Sequence, residues 1–201
     1  MCKYAPVMNY PDEMYLFDFT SGYNPGFVRS KRWGIGRYNE KRAGMYVAAQ
    51  YCNKRNIHMG IDIWTEAGAP VFSFANGTVA YLQDNNKRGD YGPTIIIAYD
   101  LDGTQLFALY GHLSRSSLER WSAGDRVQRG QQIGALGSRE ENGGWVPHLH
   151  FQLSVRDPGE ADMPGVVSEE RREEALRLYP DPRRILGELY RQEKGPRDPR
   201  R

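Results

Sequence analysis

The sequence predicts a mainly β protein, an antiparallel sheet core with short helices at the C-terminal end. Two observations carry that reading. Between residues 57 and 157 apolar and polar side chains alternate, with turn signals about every 8–12 residues. The chain of 201 residues also carries 22 glycines and 12 prolines, which suit a body with many tight turns. Candidate strands follow in order at Met59–Thr65, Pro70–Phe74, Gly77–Asp84, Thr94–Tyr99, Gln105–Leu113, Arg126–Val127, Gln132–Leu136 and Leu149–Val155.

The flanks read differently and divide the chain into three regions. Residues 1–56 form an irregular N-terminal cover segment, rich in Tyr, with turns expected at Asn24-Pro25-Gly26 and Gly34-Ile35-Gly36 and a helix around Glu40 to Tyr51. Residues 57–157 are the core. Residues 158–201 are a C-terminal helical extension. There Ser168 is expected to cap a helix that starts with Glu169 and Glu170 and stops near Pro180. Asp181-Pro182 restarts a second helix through Ile185, Leu186 and Leu189. The tail from Gly195 is expected to be disordered.

Within the core, Ala67-Gly68-Ala69-Pro70-Val71 before Asn76-Gly77-Thr78-Val79 echoes Ala123-Gly124-Asp125-Arg126-Val127 before Arg129-Gly130-Gln131. Such turns build barrel-sandwich carriers of biotin or lipoate, but those need a lysine at a hairpin tip, and neither turn has one. The core is therefore related to the barrel-sandwich in style without being a carrier.

Composition excludes several functions. With 39% hydrophobic and 12% aromatic residues the chain is globular. Its formal net charge of +2 gives no field that favours nucleic acid or an anionic membrane. No stretch approaches the ~20 apolar residues of a membrane span. No leader pattern opens the sequence, so a cytoplasmic location is expected, or one outside the cytoplasm if a leader is trimmed from it. Cys2 and Cys52 are expected as reduced thiols. Oligomeric state is not legible.

The chemistry gathers on four histidines, His58, His112, His148 and His150, all within the predicted sheet region. In a strand, residues i and i+2 share a face, so His148 and His150 emerge together while Leu149 faces the core. His58 and Asp62 also share parity. Four residues of straight strand span ~13 Å, too far for two ligands each ~2 Å from one ion. Gly60 lets the chain bend between them, which places His58 at or before the strand's start. His58, Asp62 and one histidine of the pair make three ligands. Three ligands leave a fourth position open, the mark of a catalytic rather than a structural zinc. The remaining imidazoles, with His112, are suited to take a proton from water and to stabilise a developing oxyanion.

Three segments, His58-Met59-Gly60-Ile61-Asp62, Tyr110-Gly111-His112-Leu113-Ser114 and Pro147-His148-Leu149-His150-Phe151, resemble the motifs of the lysostaphin/LytM-type M23 zinc metallopeptidases, in order and over roughly residues 56 to 156. The resemblance implies an antiparallel β fold with a groove over one Zn2+ per chain. It implies that His58, Asp62 and His150 hold the metal and that His112 and His148 are catalytic. The implied reaction is hydrolysis of an amide, in a peptide or a small molecule, by metal-activated water. Arg37, Tyr38, Glu40 and Arg42 upstream, and Asn142 and Trp145 in the loop before the His-x-His strand, are candidates for lining the substrate groove. That loop, Glu140 to Val146, departs from the Thr-Gly loop common in the family. It is similar to a branch whose M23-like domains are fused to phosphotransferase and class III aminotransferase domains. Such fusions are intracellular in character, so a small or peptidic soluble amide is expected as substrate rather than intact peptidoglycan. Two alternatives stand beside peptide hydrolysis. One is hydrolysis of a small non-peptide amide in amino-compound metabolism. The other is a zinc-retaining binding module without turnover.

Overall fold

A computed structural model describes residues 3–51 and 54–190. Cys2, Cys52 and the tail beyond Gly195 lie outside the described residues. In chain order the strands are β1 (Tyr15–Leu16), β2 (Gly34–Gly36), β3 (Ile57–His58), β4 (Ile61–Trp64), β5 (Pro70–Phe72), β6 (Gly77–Asn85), β7 (Gly92–Leu101), β8 (Thr104–Gly111), β9 (Arg126–Val127), β10 (Gln132–Ala135), β11 (His148–Ser154) and β12 (Val166–Val167). The helices are α1 (Pro25–Arg29), α2 (Arg115–Leu118), α3 (Arg172–Leu178) and α4 (Arg183–Leu186). The protein is mainly β, and every strand expected between residues 57 and 157 is present within a few residues of its expected bounds. None of the described helices is long and apolar enough to cross a membrane.

The main sheet runs β1-β2-β4-β11-β8-β7-β6-β9. Its pairs are antiparallel except β1 with β2, which makes the sheet mixed. Alternation decides the faces. Ile61, Ile63, Ala108, Tyr110, Leu149, Phe151 and Leu153 fill one apolar core with Ile95 and Ile97. Asp62, His148 and His150, at the positions between, point the other way. They are buried as well, so β11 is covered on both faces. The two echoing segments meet in part, and the strand just beyond the second one takes up the rest of the first. Gly77 and Thr78 face Val127 and Arg126, while Pro70 and Val71 face Ala135 and Gly134.

The flanks correct several expectations. Gly34-Ile35-Gly36 is strand β2, not a turn, and it pairs with β4. Its glycines serve close approach: a Cβ on Gly34 would collide with the Phe17 ring, and one on Gly36 would lie 2.7 Å from both Arg42 and Trp64. Asn24-Pro25-Gly26 starts helix α1, with the Asn24 side chain accepting from the amides of Gly26 and Phe27. The expected helix from Glu40 to Tyr51 is absent apart from a single turn at Ala49–Tyr51. Its backbone is drawn out to other partners: Arg42 N–H donates to Asn56, Ala43 N–H donates to Phe19, and Lys41 bridges Ile57. Ser168 makes no cap bond. Its hydroxyl donates to Glu170 Oε2 at 3.1 Å, and a 3-10 turn precedes α3. Helix α4 stops at Leu186, where Gly187 takes φ 78°, so Leu189 lies beyond it.

Candidate metal centre

The centre begins with a break in a strand. His58 closes β3 and Asp62 sits second in β4, with Met59-Gly60 between them. A straight strand would hold the two Cα atoms ~13 Å apart. The bend instead brings His58 Nε2 to 3.2 Å from Asp62 Oδ1. His150 arrives from the neighbouring strand in direct register with Asp62, its Nδ1 2.9 Å from Asp62 Oδ1 and 3.0 Å from His58 Nε2. Among the described residues these three form a buried group able to hold a metal ion.

The donor chemistry fits zinc. His58 Nδ1–H donates to the carbonyl of Arg37 at 3.0 Å, which leaves the lone pair on Nε2. His150 Nε2–H donates to Gln152 Oε1 at 3.0 Å, which leaves the lone pair on Nδ1. Two nitrogen lone pairs and a carboxylate oxygen thus converge on one point, an arrangement that a cation satisfies and that neutral groups alone do not. The edges of the triangle, 2.9 to 3.2 Å, are close to the ~3.3 Å between ligand atoms that follows from zinc bonds of ~2.0–2.1 Å in a tetrahedron.

Two more imidazoles face the same place. His148 Nδ1–H donates to the carbonyl of Val146 at 2.7 Å, and His112 Nδ1–H to the carbonyl of Asn142 at 2.9 Å. Each therefore keeps an Nε2 lone pair for the cleft. The rings pack 4.2 Å apart between centroids. Trp64 lies flat against the other side of His148, centroids 4.9 Å apart and planes 18° from parallel. His112 occupies a left-handed backbone conformation, φ 61°, held by its amide on Tyr91 and its carbonyl on Gly137. Such strain in a non-glycine residue persists only where surroundings over-determine it.

Burial sets the protonation states. It pushes His58 down to about 4, aided by the Arg42 charge, and His148 down to about 4. It drives His112 well below the ordinary range, with His148 adding to the effect. Burial alone would raise Asp62, but His58 and Arg42 outweigh it and hold the carboxylate ionised. At neutral pH the four groups therefore present three neutral rings and one anion.

The group opens into a cleft of about 560 Å³ lined further by Tyr51, Tyr91, Trp145, Met163 and Tyr179. Comparison with known proteins shows what this cleft belongs to. Residues 56–162 match the model of peptidase family M23.

The chain belongs to peptidase family M23.

This M23 chain is 32% identical over 99 residues to the peptidoglycan DD-endopeptidase ShyA of Vibrio cholerae serotype O1, covering 49% of the chain and 20% of that protein. It is 33% identical over 99 residues to lysostaphin of Staphylococcus staphylolyticus, covering 49% of the chain and 19% of that protein. The chain thus spans only about a fifth of the length of these two relatives. Among solved structures it is similar to a point mutant of the catalytic domain of the prophage-encoded M23 protein EnpA from Enterococcus faecalis. That likeness has a TM-score of 0.46 and 28% identity, and covers 67% of this chain and 85% of that one.

Not every residue picked from the sequence reaches the M23 cleft. Trp145 lines it and donates its indole N–H to Asp90 O at 3.2 Å. Asn142 is buried beneath, where its side chain fixes the turn through Trp145 N and its carbonyl holds His112. Tyr38 lies in the core, its hydroxyl donating to Tyr179 O at 2.6 Å. Arg37, Glu40 and Arg42 do not line the cleft either; they form an ion-pair chain behind Asp62. The charges of the upstream candidates are satisfied by one another and by Asp62. Sequence reasoning missed Gln152 and Tyr91. Gln152 was findable, since His148, His150 and Gln152 share one strand face. Tyr91 left no signal; its hydroxyl donates to Met163 O at 3.0 Å beneath the His150 ring.

Proposed function

We propose that this M23 chain is a zinc-dependent endopeptidase that hydrolyses an amide bond in a peptide, with the cross-bridges of peptidoglycan as the substrate class. The observation that supports this most is the pairing of the His58, Asp62 and His150 triangle with two further imidazoles whose Nε2 atoms are free toward the same cleft. A structural zinc has no use for the second pair. The names of the relatives supply the substrate class.

His58, Asp62 and His150 would hold a zinc ion, which would supply Lewis-acid polarisation of the scissile carbonyl and a more acidic water. The chain's own residues do the rest. His58 and His150 are oriented by the Arg37 carbonyl and Gln152, which turn His58 Nε2 and His150 Nδ1 toward Asp62. His112 and His148 begin neutral, with lone pairs toward the cleft, so either is placed to accept the proton as water adds to the carbonyl. Their 4.2 Å packing disfavours charging both. One ring therefore takes the proton and becomes a donor, and it returns the proton to the amine nitrogen as the C–N bond breaks. Burial favours that return by making the charged ring unstable.

The test incubates the zinc-loaded chain with purified cross-linked sacculi, soluble cross-bridge peptides and a panel of small amides. New amino groups from the first two, abolished by chelation and restored by zinc, are expected. Turnover confined to the small amides would replace this reading with non-peptide hydrolysis. Zinc binding without turnover of any member would leave a binding module.

A further inference from the structure

We propose that Arg42, held in place by Glu40, is a positioning residue that restricts Asp62 to one-oxygen ligation and so keeps a coordination position open toward the cleft. This rests on the zinc reading above and adds to it a residue outside the matched span of 56–162.

Arg42 is 1% exposed, a rare place for a guanidinium. Its Nη1 donates to Asp62 Oδ2 at 2.6 Å and to the Tyr46 hydroxyl at 2.9 Å, and its Nε donates to Glu40 Oε2 at 3.1 Å. Glu40 is itself buried, its other oxygen taking Arg37 Nη1 at 3.1 Å and the amide of Phe19 at 3.4 Å. The guanidinium plane is further confined by Phe19, 5.1 Å from the ring centroid, and by Trp64 at 6.0 Å.

The division of labour on Asp62 is the telling part. Oδ1 belongs to the ligand triangle, whereas Oδ2 is occupied by Arg42 on the far side. A carboxylate free to turn could put both oxygens on the metal and fill the place that substrate or water needs. Arg42 prevents that with a donor in a fixed fork, which a lysine ammonium does not supply. Asp62, Glu40, Arg42 and Arg37 also sum to zero charge, so the chain of pairs leaves no net charge buried behind the centre.

The experiment uses the full chain and three variants, Arg42→Lys, Arg42→Met and Glu40→Gln, each stripped and reloaded. Zinc affinity is read by competition with a chromophoric chelator, and coordination by the visible spectrum after cobalt substitution. Outer partners of this kind typically contribute 10–100-fold to affinity, so both Arg42 variants should lose about that much. Arg42→Met should also give a weaker, higher-coordinate cobalt spectrum, a change that a merely structural role would not produce. Glu40→Gln should fall in the same direction by less. Wild-type affinity and spectrum in Arg42→Lys and Arg42→Met would overturn the proposal. If Arg42→Met does not fold, unchanged values in Arg42→Lys and Glu40→Gln overturn it equally. A wild type that binds no zinc would remove the zinc reading itself, a result distinct from normal binding with indifferent variants.

Discussion

Gly60 lies so close to His150 that a Cβ built on it would sit 2.6 Å from His150 Cε1 and 2.8 Å from the carbonyl oxygen of Phe151. The backbone oxygen cannot swing aside. Gly60→Ala should therefore push β4 away from β11 or displace the His150 ring. The expected cost is about 1–3 kcal/mol of folding stability, as for other overpacked sites. Zinc affinity should fall with it, because His150 is the ring displaced. Thermal unfolding with and without zinc checks this, and an alanine variant with wild-type affinity would mean the strands can part without moving the ligand.

The three ligands should not be equivalent when removed. Elemental analysis should find about one zinc per chain in the wild type, and His58→Ala, Asp62→Ala and His150→Ala should each lose it. Asp62→Ala should in addition lower the melting temperature of the zinc-free chain more than His58→Ala does. It leaves the buried Arg42 with one fewer carboxylate, a loss on the order of 1–3 kcal/mol. Retained zinc in all three variants would refute the ligand set.

His112→Ala and His148→Ala are expected to keep zinc and lose turnover. A single proton-transfer group contributes about 10²–10⁴-fold, so kcat on a cross-bridge peptide should drop by that factor in each. The double variant should be little worse than the singles if one ring carries the proton and the other supports it. Loss of zinc from His148→Ala with retention in His150→Ala would reverse the ligand order.

Acid should destabilise the zinc-free chain in a defined window. Folding pushes His58 and His148 down to about 4, whereas an unfolded histidine titrates near ~6.5. Between those values the unfolded chain binds protons that the folded chain refuses, so stability rises with pH there. It is fully present above about 6.5 and is lost as pH falls toward 4, by on the order of a few kcal/mol for two such rings. Melting curves from pH 7 to pH 4 should show the fall, and His148→Gln should make it shallower. A flat profile would show that the folded rings charge freely.

Local pattern carried much of this structure and failed in a definable way. The strands from residue 57 to 157 were legible because alternation and turn residues both report one strand at a time. A group of His58, Asp62 and one histidine of the 148/150 pair was legible because that pair shares parity on one strand and because Gly60 marked the bend that His58 and Asp62 require; it is His150 that the fold brings into the buried triangle. Gly34-Ile35-Gly36 was misread because glycines that admit Phe17, Arg42 and Trp64 look the same in sequence as glycines that turn. The segment from Glu40 to Tyr51 has helix-compatible residues, but its partners are Phe19 and Asn56. Pairing of that kind is a property of the whole sheet. Arg42 could be suspected of a role from its charge. That it would face a ligand's far oxygen could not be.

Strand β2 holds the outer edge of β4, and β12 holds β3, with Val166 opposite His58 itself. Both of these strands lie outside residues 56–162, the stretch that carries the family signature. A fragment cut at those limits would strip β4 of its outer neighbour and β3 of its partner, exposing two raw hydrogen-bonding edges beside Asp62 and His58. It would also lose Arg42. The family-matched stretch of this protein is therefore a poor cassette for transplanting into chimeras, and the unit to carry across reaches back to the segment around Tyr15 and forward past Val167.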